Sequence, residues 1–235
     1  MGVARPKRSG LAVQAGPKMI TAWSYSRWRD YNECPQKAKY KYLDRLPDPG
    51  GPALVRGSQI HDECEQYLLG NGEITENMEA FEEDFEALKK AKAVPELERA
   101  FTSKWEPTGW VARDTWCRVK LDAQEVISKT KSRVIDFKTG RLRQIDEKQV
   151  ELYAASEFLE RPEVKTVQVE LWYLDEEQIK EQSYPRTKLK GILSKWSKQV
   201  APMLKDTTFK PTPNGTSCRF CPFHQKKGGP CEVGA

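Results

Sequence analysis

Residues 134–156 read VIDFKTGRLRQIDEKQVELYAAS. Val134 and Ile135 open like a buried strand, yet Asp136 and Lys138 follow at once. They are two residues apart, so on a strand they share a face. Gly140 ends the strand, and a helix predicted over 146–160 brings Gln149 and Tyr153 onto one helical face, four residues apart. Charges in a core strand are costly unless they are paired or do chemistry. Taken alone, Asp136 and Lys138 fit an exposed edge strand equally well, and Gln149 with Tyr153 says little. The weight comes from what precedes them.

Upstream, KLDAQEV (120–126) reads as a neighbouring strand with Asp122 after an apolar residue, as Asp136 is. Side by side, the two strands bring both carboxylates to one end of a sheet. Two adjacent carboxylates repel unless a cation lies between them, which is how a hard Mg²⁺ or Mn²⁺ site is built. Earlier still, GSQIH (57–61) places His61 on an apolar helix predicted over 53–69, where it is either a core histidine or a third metal ligand. A metal beside the Lys138 ammonium suits phosphodiester hydrolysis. The metal acidifies its water, and the lysine positions that water or offsets charge on the phosphorane.

The remaining elements follow from periodicity. Residues 21–46 read as helical, with Ser24 a candidate N-cap and Pro35 an interruption. Residues 75–91 form an acidic helix with Phe81, Phe85 and Leu88 inward, 110–127 one or two strands with Val119 and Leu121 on one face, and 164–174 a further strand. Residues 186–204 give an amphipathic helix with Leu189, Ile192, Leu193, Trp196, Val200 and Leu204 on its stripe. The end, from 212 on, reads as loop. The order is helices, then two strands, a helix, a strand and a helix, an α/β core with helices on a small mixed sheet.

Composition sets the bounds. The 235 residues suffice for one domain. The chain is polar, with 31% charged residues and a mean hydropathy of -0.74, but its seven tryptophans argue against disorder. No apolar run is long enough for a membrane helix. Residues 1–18 carry four basic residues and no acid, read as a flexible basic tail rather than a signal peptide, and leave 19–235 as a single domain. The net charge of +5 is uneven: 73–98 hold nine acids and three lysines, whereas 180–227 hold eleven Lys/Arg and two acids. That basic segment reads as a solvated helix face or as a partner for a phosphate backbone. No phosphate-binding Gly-rich loop ending in Gly-Lys-Ser/Thr occurs, so the chain holds no helicase motor.

Six cysteines without a secretion signal point to a reducing compartment and to metal rather than disulfides. Cys218-x-x-Cys221 and Cys231 need a fourth ligand, from His224 or from Cys34 far upstream. Zinc is one occupant and free thiols are the other simple reading. Cys64 and Cys117 lie inside regular elements and read as small core residues.

These residues resemble the PD-(D/E)XK nucleases, specifically the RecB-like branch, over roughly residues 21–231. GSQIH is similar to the branch's histidine motif, VKLDA to its first acidic strand, IDFKTG to its central Asp-x-Lys and QVELY to its Gln-x-x-x-Tyr. The resemblance implies a restriction-endonuclease-like core with a helical N-terminal lobe and a Cys-rich tail. His61, Asp122, Asp136 and the Phe137 carbonyl would hold Mg²⁺ or Mn²⁺, Lys138 would be catalytic, and Gln149 and Tyr153 would orient it or contact DNA. Cys34, Cys218, Cys221 and Cys231 are similar to the ligands of the branch's [4Fe–4S] members, with structural zinc the alternative. The expected activity is cleavage of DNA, single-stranded or with free ends, by an exonuclease through whose helical lobe a strand threads. A helicase or recombination protein is an expected partner, and the cytoplasm of a prokaryote or phage-infected cell the expected location. The other reading is a non-catalytic DNA-binding recombination partner on the same fold.

Overall fold

A computed structural model of the chain describes residues 19–48, 50–141 and 147–233. The basic tail expected over 1–18 lies outside them. The elements run α1 (Tyr25–Glu33), α2 (Pro35–Tyr42), α3 (Pro52–Leu69), α4 (Glu82–Lys90), β1 (Val94–Phe101), β2 (Pro107–Thr108), β3 (Cys117–Ser128), β4 (Lys131–Lys138), α5 (Glu147–Glu160), β5 (Thr166–Tyr173), β6 (Gln178–Pro185), α6 (Leu189–Lys205) and α7 (Gly215–Phe220). Ser24 caps α1 by accepting from the Arg27 amide, and Pro35 opens α2, where a missing N–H costs nothing.

The six strands form one mixed sheet in the order β2-β1-β3-β4-β5-β6. β4 and β5 are its parallel pair, joined through α5, and the other pairings are antiparallel. This is the expected α/β architecture, with a six-stranded mixed sheet flanked by helices as in a restriction-endonuclease-like core. The parallel pair is buried on both faces, which explains its apolar runs. Val134 and Val169 join a core with α1, α5 and α6, whereas Ile135, Phe137 and Trp172 join a second core with α3 and α4. The tryptophans bind α6 to the first core: Trp196 stacks on Trp23 at 5.0 Å, and Trp23 meets Trp105 and Trp116 edge-on.

Four readings are corrected. The acidic helix is shorter than 75–91, because its first residues form turns and one 3₁₀ turn before α4. Residues 110–116 are turn, so β3 starts only at Cys117. β1 and β6 were not expected. β1 holds Pro95 and three charges, and β6 is a polar edge strand, so neither shows a clean apolar alternation. The cysteine segment is not all loop: Asn214 caps α7 by accepting from the Ser217 amide at 2.7 Å.

Candidate active site

The antiparallel register pairs Ala123 of β3 with Ile135 of β4, so Asp122 stands opposite Asp136 where that ladder ends. Asp122 Oδ2 accepts from the Phe137 amide at 2.8 Å and lies 3.3 Å from His61 Nδ1. His61 comes from α3, one turn after Gly57. A Cβ at Gly57 would sit 3.2 Å from Thr139 Oγ1, so glycine lets α3 close on the end of β4. Asp136 Oδ1 accepts from the Tyr153 hydroxyl at 2.6 Å, and its Oδ2 pairs with the Lys138 ammonium. Gln149 completes the ring, donating to the Tyr153 oxygen at 2.7 Å and accepting from Lys138 Nζ at 3.4 Å.

The electrostatics follow from burial and like charge. Burial, and then the Asp136 charge, raise the Asp122 carboxyl above its ordinary range, while His61 and the Phe137 amide oppose them. Burial lowers His61, but the hydrogen bond and charge of Asp122 outweigh it and leave the imidazole raised. Burial and both carboxylates push the Tyr153 phenol well up, so its O–H remains a donor to Asp136. His61, Asp122, Asp136, Phe137, Lys138 and Gln149 all line one open cleft.

The cleft also receives residues that the sequence did not flag. Arg29 reaches it from α1, Glu65 from α3, and Glu96 and Lys120 form an ion pair on its rim. Glu96 sits in the left-handed region at φ 51. Non-glycine residues are uncommon there and often mark functional sites. The lysines of α6 do not line the cleft; Lys195 pairs with Glu151 at 2.8 Å. Tyr153 and Tyr184 are buried, whereas Phe220 is exposed.

Cys34, Cys218, Cys221 and Cys231 line a single cavity together with His224 and Lys37. All four are free thiols. Burial pushes Cys221 up, with the Cys231 and Cys34 sulfurs adding to it against the Phe223 amide and Lys37. The tail is fastened to the N-terminal helices by Thr212 donating to the Glu33 carbonyl at 3.0 Å and by Tyr40 packing 5.5 Å from Phe223. Gly229 is required in this segment, because a Cβ there would lie 2.2 Å from the Phe223 carbonyl carbon. Cys64 and Cys117 are fully buried core thiols, both pushed up by burial. Among the described residues, no three His, Cys, Asp or Glu side chains converge closely enough to hold a metal ion as they stand. No described helix is long and apolar enough to cross a membrane.

The family model of the PD-(D/E)XK nuclease superfamily matches residues 22–126 and 118–225, which together span nearly all of the described chain. No curated protein matches. Two crystal structures are similar at low identity. One is of SSO0001, 17% identical, covering 88% of this chain and 85% of that one with a TM-score of 0.45. The other is named "Putative exonuclease" from Eubacterium rectale, 15% identical, covering 87% and 86% with a TM-score of 0.47.

Proposed function

Because this chain belongs to the PD-(D/E)XK nuclease superfamily, we propose that it is a divalent-metal-dependent DNA nuclease working at the Asp122–Asp136–Lys138 cleft. The observation that carries this reading is the facing of two carboxylates, one raised by burial and then by the other's charge, in an open cleft with an ammonium and an imidazole beside them. That donor set fits a hard cation: carboxylate oxygens dominate, and a divalent charge relieves their repulsion. Asp122, Asp136, His61 and the Phe137 carbonyl would hold Mg²⁺ or Mn²⁺. When bound, the ion acidifies a water and stabilises phosphorane charge.

The protein's own part is positioning. The Lys138 ammonium, held between Asp136 and Gln149, offsets negative charge on the attacked phosphate. Tyr153 and Gln149 fix the Asp136 carboxylate and the lysine against each other. Arg29, Lys120 and Lys138 in the cleft favour a polyanionic substrate, read here as DNA with free ends cut by an exonuclease that borrows any helicase it needs. End-labelled single- and double-stranded DNA incubated with Mg²⁺ or Mn²⁺ should give a product ladder that is lost in EDTA. Intact substrate in both metals sinks the nuclease reading and leaves the non-catalytic DNA-binding one.

The four-thiol cavity is read as a metal site that staples the tail to α1 and α2. Thiolates of Cys34, Cys218, Cys221 and Cys231 suit a [4Fe–4S] cluster, and Cys₄ or Cys₃ with His224 suits zinc. Such a centre supplies cross-linking between distant parts of the chain. Anaerobically purified protein is expected to absorb near 400 nm (about that wavelength for iron–sulfur charge transfer) and to lose that band in Cys218→Ser. Colourless protein with bound zinc replaces iron by zinc, and metal-free protein removes the site.

A further inference from the structure

The catalytic cleft continues beyond Gln149. Gln149 and Lys120 also line a second groove, between the start of α1 and β3, whose wall carries Arg27 and Arg118. The same two arginines open into a third depression that adds Arg45 and Arg113. Five basic residues thus follow one path away from the cleft.

The arginine pair is electrostatically unsatisfied. Arg27 Nη1 donates to the Ala22 carbonyl at 2.8 Å, and its guanidinium lies 5.0 Å from the Tyr42 ring centroid. Arg118 Nε donates to the Trp110 carbonyl at 2.8 Å, and its guanidinium lies 5.5 Å from the Trp110 ring. These contacts hold both side chains in place without neutralising them. Among the described residues, neither forms an ion pair with a carboxylate. Burial, followed by the charge of Arg118, pulls Arg27 below the ordinary arginine range. Two half-buried guanidiniums that line the same grooves, neither paired with a carboxylate, are arranged for an anion. The planar fork of arginine fits a phosphate in two-point contact.

We propose that this groove is a phosphodiester subsite, in which the DNA strand held at Asp136 runs on past Gln149 and seats a neighbouring phosphate between Arg27 and Arg118. The subsite deepens the nuclease reading and rests on it. The Trp110 ring lies against the Arg118 guanidinium, and Ser26, exposed in the first turn of α1, also lines the groove. Such a subsite grips the strand outside the reacting bond, and its loss therefore weakens binding.

The test is anisotropy of a dye-labelled oligothymidylate, titrated with salt in the Asp136→Asn background so that the strand stays intact. The Arg27→Gln/Arg118→Gln double variant should bind about tenfold more weakly, the worth of one charge-assisted contact. Its plot of log affinity against log salt should be shallower by about 0.7 for each lost phosphate contact on a single strand. Because both arginines also hold main-chain carbonyls, Ser26→Glu serves as the second variant. It gives up only the long 3.5 Å contact between the Ser26 and Ser24 hydroxyls, leaves the Ser24 cap on the Arg27 amide in place, and puts a carboxylate in the first turn of a helix, where it is favoured, yet it brings an anion to the pair. It should weaken binding to a similar degree. Unchanged affinity and slope in Ser26→Glu, or in a double variant that melts like its parent, overturn the subsite. Cleavage by wild-type protein is scored separately. A subsite failure with cleavage intact leaves the nuclease reading standing, whereas absent cleavage with a normal salt response removes the nuclease reading alone.

Discussion

Asp136→Asn is expected to cut the DNA cleavage rate about a thousandfold while the protein stays folded. Asparagine preserves the shape and can still accept the Tyr153 hydroxyl, so the geometry between α5 and β4 survives. What disappears is the charge. A neutral amide holds a divalent cation poorly, and Lys138 loses the partner that fixes its ammonium. Losing one preorganised electrostatic group commonly costs about a hundred- to a thousandfold, and loss of a metal ligand adds to that. A thousandfold corresponds to about 4 kcal/mol of barrier. The stability change should be small and of mixed sign. The buried Asp136 charge raises Asp122, so removing it relieves one repulsion as it breaks one ion pair. Single-turnover cleavage in saturating Mg²⁺, with a thermal melt of each protein, checks both halves. A variant that keeps more than about a tenth of the rate places the chemistry elsewhere. A variant that is inactive and unfolded makes Asp136 a structural residue.

Much of this site was legible because its residues sit where local rules are strict. β4 is a central strand buried on both faces, so Val134 and Ile135 announce it, and Asp136 and Lys138 stand out against that background. Gln149 and Tyr153 stand out because α5 is the next element and its period is fixed. What could not be read was convergence. Glu96 and Lys120 meet the cleft because β1 pairs with β3, and β1 is disguised by Pro95 and by its charges. Arg29 arrives because α1 packs on the first core through Trp28, a long-range contact with no sequence period. Cys218, Cys221 and Cys231 were legible as a group from type and spacing, whereas Cys34 joined them only through the resemblance, because the return of the tail to α1 rests on single bonds such as Thr212 to Glu33.

Glu157→Ala should cost about 3–5 kcal/mol of stability, the penalty for stripping one partner from a buried ion pair. Glu157 is fully buried on α5. It pairs with Arg99 Nη2 at 2.5 Å, accepts from Gln124 Nε2 at 3.1 Å and lies 3.6 Å from Arg161 Nη1. Alanine leaves the Arg99 guanidinium, itself only 8% exposed, without its carboxylate. For a domain of this size the melting temperature should fall by roughly 10 °C. Glu157→Met combined with Arg99→Met should recover most of it, because a buried pair replaced as a whole by apolar side chains is close to neutral. A single variant melting like wild type, or a double variant no better than the single, would show that the pair does not hold the fold. The effect should also reach the active site. Glu157 lies one helical turn after Tyr153, and Gln124 two residues after Asp122. The network therefore fixes how α5 lies across β1 and β3, and hence where the Tyr153 hydroxyl meets Asp136. Below its melting temperature, Glu157→Ala should accordingly cleave more slowly than wild type, and the double variant should restore stability before it restores rate.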